Sequence, residues 1–118
     1  MNLKMILIGI LSLLMSSFGS LVSAEDYPSK PIRLVVPYAA GGLTDNLARA
    51  LAQEMSVRLG QSVIVENKTG AGGIIGTELV AKSKPDGYTL LLASQGLASV
   101  NTSLYPNLPY NTAKDFTP

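Results

Sequence analysis

Three short segments hold the residues whose types and spacing could recognise a small molecule. They are Ala39-Ala40-Gly41-Gly42-Leu43-Thr44-Asp45, Asn67-Lys68-Thr69-Gly70-Ala71-Gly72-Gly73 and Ser94-Gln95-Gly96. Glycines let the main chain approach a ligand closely, and free amides at the start of a helix, helped by the helix dipole, favour an anion. The first segment therefore suits a carboxylate. Asp45, in the first turn of the helix that follows, can cap that helix and can accept a bond from a ligand ammonium or hydroxyl. Glycines that serve only a tight turn are the competing reading of this segment taken alone. Ser94 and Gln95 offer a hydroxyl and an amide to orient a carboxylate, although a serine after a strand is more often a helix cap.

Continued to Gly76, the second segment reads G-x-G-x-x-x-G. A dinucleotide-binding turn has glycines at G-x-G-x-x-G directly after a strand and an acidic ribose ligand at the next strand end. Here Asn67-Lys68-Thr69 intervenes, and the next strand ends in Ala93-Ser94. With no His and no Cys in 118 residues, Ser-His-Asp and Cys-His catalysis, imidazole or thiolate metal sites and thiol redox chemistry are excluded. No carboxylate pair is placed for acid–base work. A binding protein without catalytic residues, metal or cofactor is the leading expectation. The alternatives are a secreted α/β enzyme fragment holding a nucleotide-like anion and a gene remnant without activity.

The elements that must position these segments alternate. Ile32 to Val36 is a β-branched run stopped by Pro37, which predicts a strand buried on both faces. Thr44 to Leu59 places Leu47, Ala48, Leu51, Ala52, Met55 and Leu59 at helical spacing, with Gly60 as the stop. Ser62 to Glu66 predicts a second strand, Ile74 to Ser83 a second helix, Tyr88 to Ala93 a third strand, and Ala98 to Leu104 a short helix. Strands alternating with helices predict an α/β fold of βαβ units on a parallel sheet. In such sheets ligands sit outside the carboxyl ends of the strands, where all three segments fall.

Residues 1–24 read as an export signal: Lys4 precedes an apolar run from Met5 to Met15, shorter than the ~20 residues of a membrane span, and Val22-Ser23-Ala24 fits a cleavage site. Cleavage there leaves Glu25 first and predicts a periplasmic product. It also removes one of the nine basic residues and none of the eight acids, so the remainder is near neutral. Such a chain lacks the electrostatic footprint of a nucleic-acid binder. The lack of Cys excludes disulfide staples and lipid attachment at the cleavage site.

The order of these residues resembles the Bug-type substrate-binding proteins of tripartite tricarboxylate transporters. The resemblance runs through Tyr27-Pro28-Ser29-Lys30-Pro31-Ile32-Arg33-Leu34-Val35-Val36-Pro37-Tyr38, Gly41-Gly42 with Thr44-Asp45, Leu59-Gly60-Gln61, Val65-Glu66-Asn67, Gly70-Ala71-Gly72-Gly73, Lys84-Pro85-Asp86-Gly87-Tyr88-Thr89 and Lys114-Asp115-Phe116. It implies a two-lobed, Venus-flytrap periplasmic binding fold, with residues 25–105 as the N-terminal part of the first lobe and 106–118 leading toward a second. It also implies a small carboxylate ligand, a two-component membrane permease as partner, a monomeric receptor and no catalysis. The ligand-binding residues carried over are Ala39, Ala40, Gly41, Gly42, Thr44, Asp45, Asn67, Gly72, Gly73, Ser94 and Gln95, with Thr44 and Asp45 acting through their side chains. Leu43 stands where the family favours small residues. Because family members continue well past the Lys-Asp-Phe segment, the chain is expected to be a truncated receptor.

Overall fold

The computed structural model describes residues 26–118, so the expected export signal and its cleavage boundary lie outside the described residues. Three parallel strands, β1 (Ile32–Val36), β2 (Val63–Asn67) and β3 (Thr89–Leu91), form a sheet in the order β2-β1-β3. Ile32 pairs with Val63 and Val36 with Asn67, while Arg33 pairs with Thr89 and Val35 with Leu91. The ladder runs past β3 at both ends: the Arg33 amide donates to the Tyr88 carbonyl at 2.8 Å and the Leu92 amide to the Val35 carbonyl at 3.0 Å. The expected strand from Tyr88 to Ala93 is therefore present as a pairing region around a shorter regular core.

β1 is central because it has apolar residues for both faces. Ile32, Leu34 and Val36 pack with Ala48, Ala52 and Val63, flanked by Met55, Val65, Leu90 and Leu92. Val35 and Pro37 are buried on the alternate side. Burying each large aliphatic side chain stabilises the fold by roughly 1.5–3 kcal/mol. Helix α1 (Leu43–Leu59) lies over the first face, and helix α2 (Ile74–Ala81) meets the second through Gly76, which sits against Pro37. The chain crosses from β1 to β2 through α1 and returns from β2 past β1 to β3 through α2, and right-handed crossovers in these opposite directions place one helix on each face.

α1 ends at Gly60 in the left-handed conformation (φ 65°), as its position after the last periodic residue predicted. The expected apolar face is only partly realised. Ala48 and Ala52 are buried, whereas Leu47, Leu51 and Leu59 are 60, 40 and 36% exposed. The seam that meets the sheet follows Asp45, Ala48, Ala52 and Met55, because alanines let the helix axis come close to β1, and the leucines one position earlier fall beside it. Leu51 and Met55 border a cavity of about 820 Å³ that also touches Leu34, Leu90, Tyr110 and Phe116. Ser56 fastens the helix to the sheet, since its Oγ donates to the Ala52 carbonyl at 2.7 Å and accepts from the Val63 amide at 2.8 Å.

A tight 3₁₀ turn (Ala71–Gly73) precedes α2. Beyond β3 a wide π-helical segment (Gly96–Val100) runs into helix α3 (Asn101–Leu104), starting two residues earlier than the periodicity predicted. A single-turn helix α4 (Thr112–Asp115) follows, capped by the Asn111 side chain on the Ala113 and Lys114 amides.

Candidate functional site

The three segments singled out above leave the carboxyl ends of β1, β2 and β3, and the strand order sets the β1 loop between the other two. Each pair of loops is tied together. Between the first and second, Asn67 Nδ2 donates to the Tyr38 carbonyl at 3.0 Å and to Asp45 Oδ1 at 2.9 Å. The first and third are joined by a short hydrogen bond between the Tyr38 hydroxyl and Ser94 Oγ. Second and third meet where the Leu97 side chain, 2% exposed, packs on Gly73.

Asp45 is the centre of the first tie. Its carboxylate is 2% exposed because its place on α1 is on the sheet-facing seam. Oδ2 accepts from the Gly41 amide at 2.8 Å and from Arg49 Nε at 2.9 Å, and Oδ1 accepts from Asn67. The Arg49 guanidinium foremost, then the Gly41 amide and the Asn67 amide group, hold this carboxyl down to a pKa of about 2 against the opposing effect of burial. Asp45 and Asn67 thus orient the loops instead of presenting free side-chain acceptors and donors to a ligand. The Asp45 carboxylate, expected to accept a bond from a ligand ammonium or hydroxyl, already accepts three bonds within the protein. The Gly41 amide is likewise engaged internally.

What remains open is main chain. Gly42 stands before α1 in an extended conformation, and no side chain caps the helix, so the first-turn amides stay available to an anion beside the half-buried Thr44. Ala39, Ala40, Gly41 and Gly42 are exposed. In the second loop Gly72 (φ 62°) is exposed and faces open space, whereas Gly73 (φ 92°) is buried with its amide on the Gly70 carbonyl at 2.9 Å. In the third, Gln95 is exposed and Ser94 is held by Tyr38.

The glycine run of the second loop has a packing cause. A Cβ on Gly76 would lie 2.6 Å from the Lys68 carbonyl oxygen, and one on Gly73 would lie 2.9 Å from Leu97 Cδ2. Glycine is required there for helix-to-strand and loop-to-loop contact, with no phosphate needed to explain it. Among the described residues, no group of three His, Cys, Asp or Glu could hold a metal ion, and no helix is long and apolar enough to cross a membrane.

A family profile described as tripartite tricarboxylate transporter family receptor matches residues 47–118. The chain belongs to this receptor family. It is 50% identical over 98 residues to protein BugT of Bordetella pertussis, a match covering 82% of this chain and 30% of BugT. Among solved structures, periplasmic binding protein BugD superposes with a TM-score of 0.74 at 53% identity, covering 78% of this chain and 30% of BugD. MatC from Rhodopseudomonas palustris with bound malate superposes with a TM-score of 0.75 at 42% identity, covering 78% of this chain and 31% of MatC. The chain spans about a third of the length of the relatives it matches. These likenesses establish the Bug-type resemblance and the α/β periplasmic-binding fold read from the sequence. The family is one of substrate-binding receptors and not of enzymes, which removes the nucleotide-enzyme alternative.

Sequence reasoning found the glycine loops but missed three residues that tie them together: Tyr38, Arg49 and Leu97. Arg49 carried a readable signal, since Asp45 and Arg49 stand four residues apart on a helix, the spacing of an ion pair.

Proposed function

We propose that this receptor-family chain forms one wall of a periplasmic site that captures a small carboxylate, exported behind residues 1–24 and serving a two-component membrane permease as a monomer. The observation that carries this reading is the convergence of three strand-end loops on the uncapped amides at the start of α1. Gly42, Leu43 and Thr44 supply main-chain donors for the carboxylate, and Ala39, Ala40 and Gly72 line the approach. MatC, whose structure holds malate, makes a dicarboxylate of that size the first ligand to try.

Calorimetry and thermal unfolding of the chain with malate provide the test. Ligand that binds only the folded state raises its stability as RT ln(1 + [L]/Kd), so the melting temperature should climb with malate concentration. Gly42 has φ −79°, a value proline adopts, so Gly42→Pro removes one amide with little backbone strain. The variant should bind about tenfold more weakly, the loss expected for one hydrogen bond to a charged group. A chain whose stability ignores malate and related dicarboxylates, or a folded Gly42→Pro variant with full affinity, overturns the reading. N-terminal sequencing of exported product beginning anywhere but Glu25 overturns the export boundary.

A further inference from the structure

We infer that Arg49, a solvent-facing residue outside all three loops, is a positioning residue for the anion site, because with Asp45 and Asn67 it closes a latch that fixes the first loop against the end of β2. The inference rests on the receptor reading above.

The latch is a ring of three side chains. Arg49 Nε donates to Asp45 Oδ2 at 2.9 Å, Arg49 Nη2 donates to Asn67 Oδ1 at 3.3 Å, and Asn67 Nδ2 donates to Asp45 Oδ1 at 2.9 Å. Two main-chain groups hang from it, the Gly41 amide on Asp45 and the Tyr38 carbonyl on Asn67. Those two anchors bracket Ala39 and Ala40, so the ring sets the shape of the turn that presents the exposed amides. A site built from main chain cannot adjust by changing a rotamer. Its geometry is that of the loop, and small misplacements cost affinity.

Arg49 is suited to this because its planar fork reaches two acceptors in a fixed relation, which an ammonium does not reproduce. Its side chain is 56% exposed and adds little to the core. Among the described residues no other cation pairs with Asp45: Arg33 on β1 and Lys68 just past β2 both pair with Glu66. Removing Arg49 should loosen the loop while the sheet stays intact.

The experiment compares the full wild-type chain with Arg49→Met and Arg49→Lys by thermal unfolding, malate calorimetry and amide hydrogen exchange at Gly41. Lysine keeps a positive charge beside Asp45 but cannot span to Asn67. Arg49→Lys should therefore melt close to wild type yet bind malate about tenfold more weakly, with the Gly41 amide exchanging about tenfold faster. Arg49→Met should show the same loss of affinity and protection together with a lower melting temperature. Wild-type affinity in Arg49→Lys overturns the inference, since a merely structural role is restored by charge alone. If wild-type protein binds neither malate nor related dicarboxylates, the receptor reading falls and exchange decides the latch by itself. Acceleration confined to Gly41 and its loop then supports it, and unchanged or uniform exchange across the sheet overturns it.

Discussion

Gly76→Ala separates two explanations of the glycine run with a single methyl group. In an ordinary helix interior, alanine is favoured over glycine by roughly 1 kcal/mol, so the substitution would stabilise α2 if nothing stood nearby. Here the added Cβ would lie 2.6 Å from the Lys68 carbonyl oxygen, 3.0 Å from Pro37 Cβ and 3.1 Å from Pro37 Cα. None of these is the far end of a flexible side chain. Pro37 is fully buried, and the Lys68 backbone is pinned by its amide on the Val36 carbonyl at 2.8 Å. The helix itself must move, giving up contact with β1 along its length, and overpacking of this kind costs roughly 1–3 kcal/mol. Against backbone obstacles the upper part of that range applies, leaving a net destabilisation of about 1–2 kcal/mol after the helix preference is counted. In a domain of this size each kcal/mol moves the melting temperature by about 4–8 °C, so calorimetry should register a fall of roughly 5–15 °C. A variant that melts at or above the wild-type temperature would refute the argument, because α2 would then ride clear of Pro37 and the glycine would need another cause.

Two further outcomes follow from the hydrogen bonds of α1. Ser56→Ala leaves the Val63 amide without its 2.8 Å acceptor at the start of β2, and should cost about 1–2 kcal/mol in urea unfolding; a neutral result would mean that water reaches this amide. Acid unfolding should report Asp45. Its folded pKa of about 2 lies below the ordinary value of 3.8, so its contribution is complete above pH 4 and is lost as pH falls from about 4 to 2. The Asp45→Asn chain should be less stable near neutrality and flatter through that window, and an acid limb as steep as that of wild type would show that Glu66 and Asp86, also lowered by their partners, carry it instead.

How much was legible in the sequence differs from element to element, for physical reasons. The strands could be read because β-branched runs bounded by proline and glycine have few alternatives, and the helix stop at Gly60 because the left-handed cap is local. Strand order was not legible, since the order β2-β1-β3 depends on the direction each crossover takes, which no local run of residues encodes. The role of Asp45 was half legible. Its place in the first helical turn was plain, and that made it look like a free acceptor. What the turn alone could not tell was that Asp45 shares the buried seam with Ala48 and Ala52. A carboxylate on such a seam must be satisfied from within the protein, because an unpaired buried charge is far costlier than the latch that neutralises it. The same rule, applied to any glycine loop that precedes a helix, separates the roles before a structure is known: an acid in phase with the small core residues holds the loop, and the main-chain amides are left to hold the ligand.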